Sequence, residues 1–344
     1  MIRTVLLSGV IEFAYGKGLP QRSRISGQFQ FPVFGSNGQV DTHSQSLVSG
    51  PGIIVGRKGL VGEVIWLRQD FQPIDTTYYV KLKDPDNELI YWCYALKSLG
   101  LEKLNSYSAI PGLNRDVAYT KQVPLRSASD QKKIANILGS LDEKIELNRR
   151  MNEILKQLGQ TLFCRYFVDK ARHSNGNIHT IFHPKRGRNL QARNMIHDNT
   201  PVVSGRLKPA GFHNKANTAA LVITISASGA NAGFVSIWGE PVWLADSLYI
   251  DSTISKYVYT YYLFLKSKQK EIYDMQTSSG QPHIYPKHIG LLEIADLLES
   301  VFDSFEEKVQ PLFNFMHKNR KQTDTLSKIL NSLLPKLISG EIET

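Results

Sequence analysis

Residues 53–66 read IIVGRKGLVGEVIW, a pattern of two apolar strands around a glycine-rich turn that closes on a tryptophan. Residues 222–238 repeat this pattern as VITISASGANAGFVSIW. Further matches flank both copies in the same order, at offsets of 169 to 171 residues: FPVFGS (31–36) with TPVVSG (200–205), IDTTYYV (74–80) with ADSLYI (245–250), and IPGL (110–113) with QPHI (281–284). This internal similarity predicts two copies of one structural unit.

Each copy is followed by a long helical pattern whose apolar positions alternate steps of three and four residues. In the first helix these positions are Ile134, Leu138, Leu141, Ile145, Asn148, Met151, Leu155, Leu158 and Leu162. In the second they are Leu298, Phe302, Phe305, Val309, Leu312, Met316, Asn319, Thr323, Leu326, Leu330 and Leu333. The alternation is typical of a coiled-coil seam, which an isolated helix would expose to water. We therefore expect the two helices to pair within the chain.

Two features qualify the helical patterns. Asn148 and Asn319 each place a polar residue in a seam, where they either fix the register of the pair or face solvent at a slightly shifted seam. Pro311 lies within the second pattern, where the missing backbone N–H should kink or interrupt the helix.

The segments outside the long helices read as short strands bounded by Gly, Pro, Asn and Ser. We predict an α+β fold with four parts: mixed, mainly antiparallel globular parts at residues 1–123 and 177–290, and long helical parts at 124–176 and 291–344. A shorter helix is expected near residues 89–104. Its counterpart near 255–275 reads equally well as a strand, and its position in the repeat favours a helix.

The chain has 344 residues and a formal net charge of +10. The globular parts carry +3 and +6, the first helical part +4 and the second −3. A basic balance of this kind favours a polyanionic partner such as nucleic acid. No apolar run is long enough to span a membrane, so we expect a soluble cytoplasmic protein without a membrane partner. The two cysteines, Cys93 and Cys164, are too few for a disulfide scaffold and are expected to be buried thiols in helices.

Motifs for chemistry are absent. The sequence has no phosphate-binding glycine loop, no dinucleotide fingerprint, no nucleophile elbow and no spacing of cysteine or histidine residues that indicates a metal site. Gly56, Gly59 and Gly62 lie between apolar strands and indicate a tight hairpin. Asp75 and Asp246, each placed on an apolar strand, are the best candidate carboxylates, and a structural role is favoured for both. We therefore predict a binding protein with no catalytic residues, no cofactor and no metal.

Candidate DNA-binding residues cluster in the irregular segments of both copies. Loops that present Arg, Lys, Ser and Asn can combine phosphate contacts with base-edge contacts. The residues predicted to contact DNA are Lys17, Arg22, Arg24, Ser36, Asn37, Arg57, Lys58, Lys185, Arg186, Arg188, Arg193, Arg206 and Lys208.

The chain resembles the specificity subunits of type I restriction-modification systems. DQKKIANIL (130–138) with LDEKIELNRRMNE (141–153) looks like the central conserved region of that family, and LLPKLISGEI (333–342) looks like its distal one. YGKGLP (15–20) and PGIIVGRKG (51–59) look like target-recognition sequence, whereas SASG (226–229) departs from GRKG (56–59).

This resemblance implies two target-recognition domains that each read one half of a bipartite duplex DNA site. It also implies that the two helices form an antiparallel coiled coil, that methyltransferase (modification) subunits dock on them, and that a restriction subunit completes the nuclease. The helix pair would then set the half-site spacing. Two other classes stay open from the residues alone: a coiled-coil scaffold whose globular parts bind protein, and an unrecognised DNA-modifying enzyme.

Overall fold

The computed structural model of the chain describes residues 3–24, 30–104, 112–168, 176–177, 183–196, 198–205, 208–277, 280–294 and 298–343. Among these residues, no helix is long and apolar enough to cross a membrane. The chain divides into two compact units, residues 1–146 with 324–344 and residues 147–323.

The first copy of the repeat consists of short strands followed by helices. In chain order these are β1 (Arg3–Leu6), β2 (Ile11–Tyr15), β3 (Phe31–Gly35), β4 (Gly38–His43), β5 (Gly52–Gly56), β6 (Val64–Leu67), β7 (Gln72–Pro73), β8 (Thr77–Leu82), α1 (Leu89–Ser98), α2 (Arg115–Tyr119), β9 (Gln122–Leu125) and α3 (Ala128–Phe163). The strands form sheets of order β2-β8-β5-β6, β4-β3-β7 and β1-β9, and all pairs except β3 with β7 are antiparallel.

The second copy repeats this order. Its elements are β10 (Gly176–Asn177), β11 (Lys185–Arg186), β12 (Thr200–Val203), β13 (Gly211–His213), β14 (Val222–Ser226), β15 (Val235–Trp238), β16 (Trp243–Leu244), β17 (Ser247–Asp251), α4 (Val258–Ser267), α5 (Gln269–Asp274), α6 (Pro286–Gly290), β18 (Glu293–Ile294) and α7 (Glu299–Ser339). Its sheets have the orders β11-β17-β14-β15, β13-β12-β16 and β10-β18. The strand orders correspond one to one, so the predicted duplication and the predicted α+β fold are confirmed.

Each of the two repeated stretches, residues 53–66 and 222–238, contributes an interior strand to a main sheet: β5 in the first copy and β14 in the second. All five residues of β5 are buried, as are all five of β14, because each strand has a neighbour on both sides and packing on both faces. The glycine spacing makes a hairpin, as predicted: Gly62 has a φ of +76° and lies so close to the backbone of Glu102 that a Cβ atom would have no room.

The core of the first unit lies between its main sheet and α1. Tyr91 and Trp92 of α1 are fully buried there. Ile134 and Leu138 from the start of α3 join the same cluster, together with Leu337 from the end of α7. The predicted helices near 89–104 and 255–275 are confirmed as α1, and as α4 with α5.

Aromatic side chains build the core of the second unit. Phe163 and Phe167, at the end of α3, pack against Phe305 of α7 at ring-centroid distances of 6.0 and 5.0 Å. Tyr259 of α4 stacks on Phe313 of α7 at 4.6 Å. The long helices are therefore also part of the core of this unit.

The long helices pair antiparallel within the second unit, as expected. The side chain of Asn148 hydrogen-bonds to Gln322, that of Asn152 hydrogen-bonds to the backbone of Met316, and Phe163 packs on Phe305. Residue numbers increase along α3 as those of their partners in α7 decrease, so the helices are antiparallel. Pro311 was expected to kink or interrupt the second helix. The expected interruption is wrong, because α7 runs unbroken from Glu299 to Ser339.

Three details of the sequence prediction need correction. Leu158 and Leu298 are exposed rather than part of the seam. Near the end of α3, Gly159 faces Leu263 and Phe313, and a Cβ added there would meet both at ordinary van der Waals distances of 3.6–3.8 Å. Cys93 is buried as expected, but Cys164 is exposed, because it lies on the outer side of the π-helical turn that ends the helix.

Candidate nucleic-acid interface

Four loops of the first unit converge at one edge of its main sheet. They are the β3–β4 turn, the β5–β6 hairpin, the β7–β8 turn and the segment that leads into α2. Backbone hydrogen bonds join them: the N–H of Arg57 donates to the carbonyl oxygen of Thr76 (2.9 Å), and that of Leu113 donates to the carbonyl oxygen of Arg57 (2.8 Å). The loops are therefore held in a fixed arrangement by the sheet.

The β5–β6 hairpin and the segment leading into α2, together with Tyr15 of β2 and Tyr78 of β8, line an open pocket of about 320 Å³. Two guanidinium groups contact the ring of Tyr15, with the Cζ of Arg57 5.0 Å and the Cζ of Arg115 4.9 Å from its centroid. Tyr78 packs beside it at 5.1 Å. The pocket is lined by Tyr15, Arg57, Lys58, Tyr78, Gly112, Leu113, Asn114, Arg115 and Asp116.

Both arginines are oriented by the segments around them. Arg57 donates through Nη1 to the backbone oxygen of Asp75 at 2.9 Å. Arg115 lies at the start of α2, where Asn114 caps the helix by accepting the N–H of Asp116 at 2.8 Å. Burial raises the pKa of Tyr78, and the nearby Tyr15 raises it further. Two cations stacked on one ring form a surface suited to planar, electron-rich groups or anions.

The second unit has the same loops with different side chains. Tyr15 lies opposite Tyr78 in its sheet, and Arg186 lies opposite Leu248 at the equivalent place. Arg186 donates through Nη2 to Asp246 at 2.7 Å, and the hydroxyl of Ser228 donates to the other oxygen of that carboxylate at 2.8 Å. The Arg186 guanidinium beside Asp246 holds the pKa of this carboxyl below its usual range.

The candidate carboxylates do not lie on strands, which corrects the sequence prediction. Asp75 lies in the turn between β7 and β8, and Asp246 lies in the turn between β16 and β17. The second turn is one residue shorter, since three residues (74–76) separate β7 from β8 but only two (245–246) separate β16 from β17. The short turn forces Asp246 to a φ of +43°, in the left-handed region.

Known proteins share this architecture and sequence pattern. Residues 3–157 match the family described as the type I restriction modification DNA specificity domain. The chain therefore resembles this family over 155 of its 344 residues. It is 23% identical to the type I restriction enzyme MjaIX specificity subunit of Methanocaldococcus jannaschii, over 74% of this chain and 69% of that protein.

Two further comparisons agree with this resemblance. The type I restriction enzyme HindI specificity subunit of Haemophilus influenzae is 37% identical over 17% of this chain and 13% of that protein. The crystal structure of a type I restriction-modification system S subunit from M. genitalium superposes with a TM-score of 0.74 at 20% identity, covering 98% of this chain and 96% of that one. The fold is therefore that of a type I restriction-modification S subunit.

The structure distributes the predicted DNA contacts unevenly. Arg57 and Lys58 lie in the pocket. Arg24 is bound to Asp41 at 3.1 Å with only 15% of its side chain exposed, and Ser36 is buried, so both stabilise the fold locally. The exposed members are Lys17, Arg22, Asn37, Lys58, Lys185, Arg186, Arg188, Arg193 and Lys208. Arg206 lies outside the described residues.

Of the pocket residues, the sequence prediction named only Arg57 and Lys58, and Tyr15 and Arg115 are among those that it missed. Tyr15 was noted only as part of a family-like stretch, and Arg115 follows a helix-capping Asn114 that gives no sign of a pocket. Within the described residues, no group of three or more His, Cys, Asp or Glu side chains is arranged to hold a metal ion.

Proposed function

We propose that this chain is a non-catalytic DNA-specificity subunit that reads a bipartite duplex site, with residues 1–123 and 177–290 each binding one half. In this proposal the helical parts, residues 124–176 and 291–344, dock modification subunits and set the half-site spacing. A restriction subunit joins the assembled complex, and the complex works on DNA in the cytoplasm.

The observation that carries this proposal is the duplicated loop cluster. The same strands hold the same loops in both copies, but the pocket of the first copy presents Tyr15 in contact with two arginines, while the second presents Arg186 bound to Asp246. Side chains at base edges set sequence preference, so two copies with the same backbone arrangement and different side chains would read two different half-sites. An asymmetric bipartite site requires this combination.

The outer face of α3 supports the docking part of the proposal. Leu147, Ile154 and Leu158 are 52%, 60% and 43% exposed, and their spacing of seven and four residues places them on one face of the helix. A row of exposed apolar side chains on a rigid helix is suited to a protein partner. The modification subunits are the partners that we assign to it.

The test uses the full chain assembled with its modification subunits and a random duplex library. We expect one bipartite motif to be selected, and binding to it to fall roughly 10³-fold or more between about 50 and 200 mM salt. Replacing Arg57 and Lys58 by alanine should alter one half of the motif only. Salt-insensitive binding, a change in both halves, or methyl transfer or cleavage by the isolated chain would contradict the proposal.

A further inference from the structure

In the loops of the second copy, the side chain of Arg186 is paired with the carboxylate of Asp246. Arg186 is on β11, an edge strand of its sheet that is paired to β17 through Lys185 with Tyr249 and Arg186 with Leu248. Its side chain is 55% exposed and Asp246 is 45% exposed, although the two are only 2.7 Å apart. The backbone of Arg186 is thus fixed by the sheet, and its side chain is directed by the carboxylate.

Asp246 is in turn held from two sides. The hydroxyl of Ser228 donates to its second oxygen at 2.8 Å, and Ser228 is itself bridged to His283 across the loop cluster. One hydrogen bond to Asp246 occupies one of the five N–H donors of a guanidinium, so the remaining edge of Arg186 is left to bind a ligand. Among the described residues, Asp246 is the acceptor recorded for this guanidinium.

The neighbouring carboxylate selects the kind of ligand. A phosphate group on the free edge of Arg186 would approach Asp246 and be repelled by it, whereas a neutral pair of acceptors would not. In the major groove of duplex DNA, guanine offers such a pair in O6 and N7, and adenine places a donor next to its N7. The favoured ligand is therefore a guanine edge.

We infer that Arg186 is a specificity-determining residue that reads a guanine in the half-site of the second copy, and that Asp246 is its positioning residue. The inference rests on the proposed function and adds to it the base and the residue that reads it. The charge-balanced pair should also contribute little to the salt dependence of binding, unlike a free arginine at a phosphate.

The first experiment uses the wild-type chain in complex with its modification subunits, and the bipartite duplex selected from a random library. The half-site read by the second copy is the one whose sequence preference does not change when Arg57 is replaced. Each guanine in that half-site is exchanged, one at a time, for 7-deazaguanine, which lacks N7. We expect one exchange to lower affinity about tenfold or more. If no exchange in that half-site changes affinity, the inference is wrong, whether or not any variant folds.

The second experiment repeats the selection with variants. Arg186→Gln should move the preference at that one position from guanine to adenine, because a glutamine amide matches N6 and N7 of adenine. Asp246→Asn should relax the preference at the same position and leave the others intact. Melting temperatures distinguish these changes from a loss of folding.

Arg188→Gln is the matched control, because Arg188 is exposed two residues away on the same segment. It should weaken binding to all sequences equally and reduce the salt slope by about one. If Arg186→Gln behaves like this control, Arg186 binds phosphate and the inference fails while the proposed function survives. If the wild-type complex selects no bipartite motif, the proposed function itself fails.

Discussion

Asn148 donates to the backbone carbonyl oxygen of Asn319 across the helix pair, with 3.4 Å between Nδ2 and the oxygen. Both side chains are almost fully buried, at 2% and 4% exposure. Asn148 also donates to Gln322 at 2.9 Å, and Asn319 donates to the side chain of Asn152 at 3.0 Å. The two seam asparagines therefore face each other rather than solvent, and a slide along the helices would leave buried amides without partners.

Asn319→Ala is expected to destabilise the chain by about 1–3 kcal/mol. The substitution removes the donor to Asn152 and leaves a partly buried acceptor without its partner. The free energy of unfolding from urea titration, followed by helical circular dichroism, measures the effect.

Lys318→Ala is the control for this prediction, since Lys318 is exposed beside Asn319 on the same helix. It should change stability by no more than about 0.5 kcal/mol. Equal effects of the two substitutions would show that the buried network contributes nothing specific.

The architecture was accessible from sequence because its signals are local or periodic. The two glycine hairpins around residues 56–62 and 226–233 repeat as continuous stretches, and the seam of each long helix repeats every few residues. The same reasoning placed Asp75 and Asp246 in equivalent positions, but it could not show the one-residue difference in turn length, because both spacings match the sequence pattern equally well.

The pocket was not accessible in the same way. Tyr15, Arg57 and Arg115 are far apart in the chain, and only the pairing of β2 with β8 and the bridge between Lys58 and Gly112 bring them together. Neither a period nor a spacing marks such a set. Charge alone also made Arg24 as good a candidate for DNA contact as Arg57, although the carboxylate of Asp41 pairs with Arg24 in the fold.

Gly62→Ala should destabilise the chain by about 3 kcal/mol or more. Gly62 has a φ of +76°, and an added Cβ would lie 2.4 Å from the backbone nitrogen of Glu102, which cannot move independently. Thermal unfolding of the variant, or its loss from the soluble fraction, tests this expectation.

Gly38→Ala separates the two causes, because Gly38 has a φ of +103° but nothing within 4 Å of an added Cβ. Backbone strain alone should cost it about 1–2 kcal/mol. If Gly62→Ala costs no more than Gly38→Ala, the close approach to Glu102 is not a constraint.

Glu306 should make stability depend on pH in a defined direction. Its carboxylate caps α4 by accepting the N–H groups of Tyr259 (2.9 Å) and Thr260 (2.8 Å), yet burial raises its pKa. A carboxyl whose pKa is higher in the folded state binds protons more readily when folded, so its contribution to stability falls as pH rises from the unfolded pKa through the folded one.

The wild type should therefore lose free energy of unfolding relative to the Glu306→Gln variant as pH rises from about 4 upward. Urea midpoints at several pH values provide the measurement. Glu307→Gln, at the next position and exposed, is the matched control for the change of charge on the same helix. A difference that increases with pH would contradict the assigned direction.

Tyr15 should act as the common platform for recognition by the first copy. It stacks with the guanidinium groups of both Arg57 and Arg115, and its side chain is still 49% exposed. Tyr15→Leu removes the ring under both cations, and two exposed cation–π contacts together are worth about 1–2 kcal/mol. We expect roughly tenfold weaker binding of the first half-site by the assembled complex, measured by competition with half-site variants.

Tyr15→Phe retains the ring and should bind within about twofold of the wild type. Because each arginine acts through the shared ring, Arg57→Ala and Arg115→Ala should be less than additive with Tyr15→Leu in a double-mutant cycle. Preference at the second half-site should not change in any of these variants. Full additivity would mean that the arginines act independently of Tyr15, and a change at the second half-site would mean that the two copies are not separate readers.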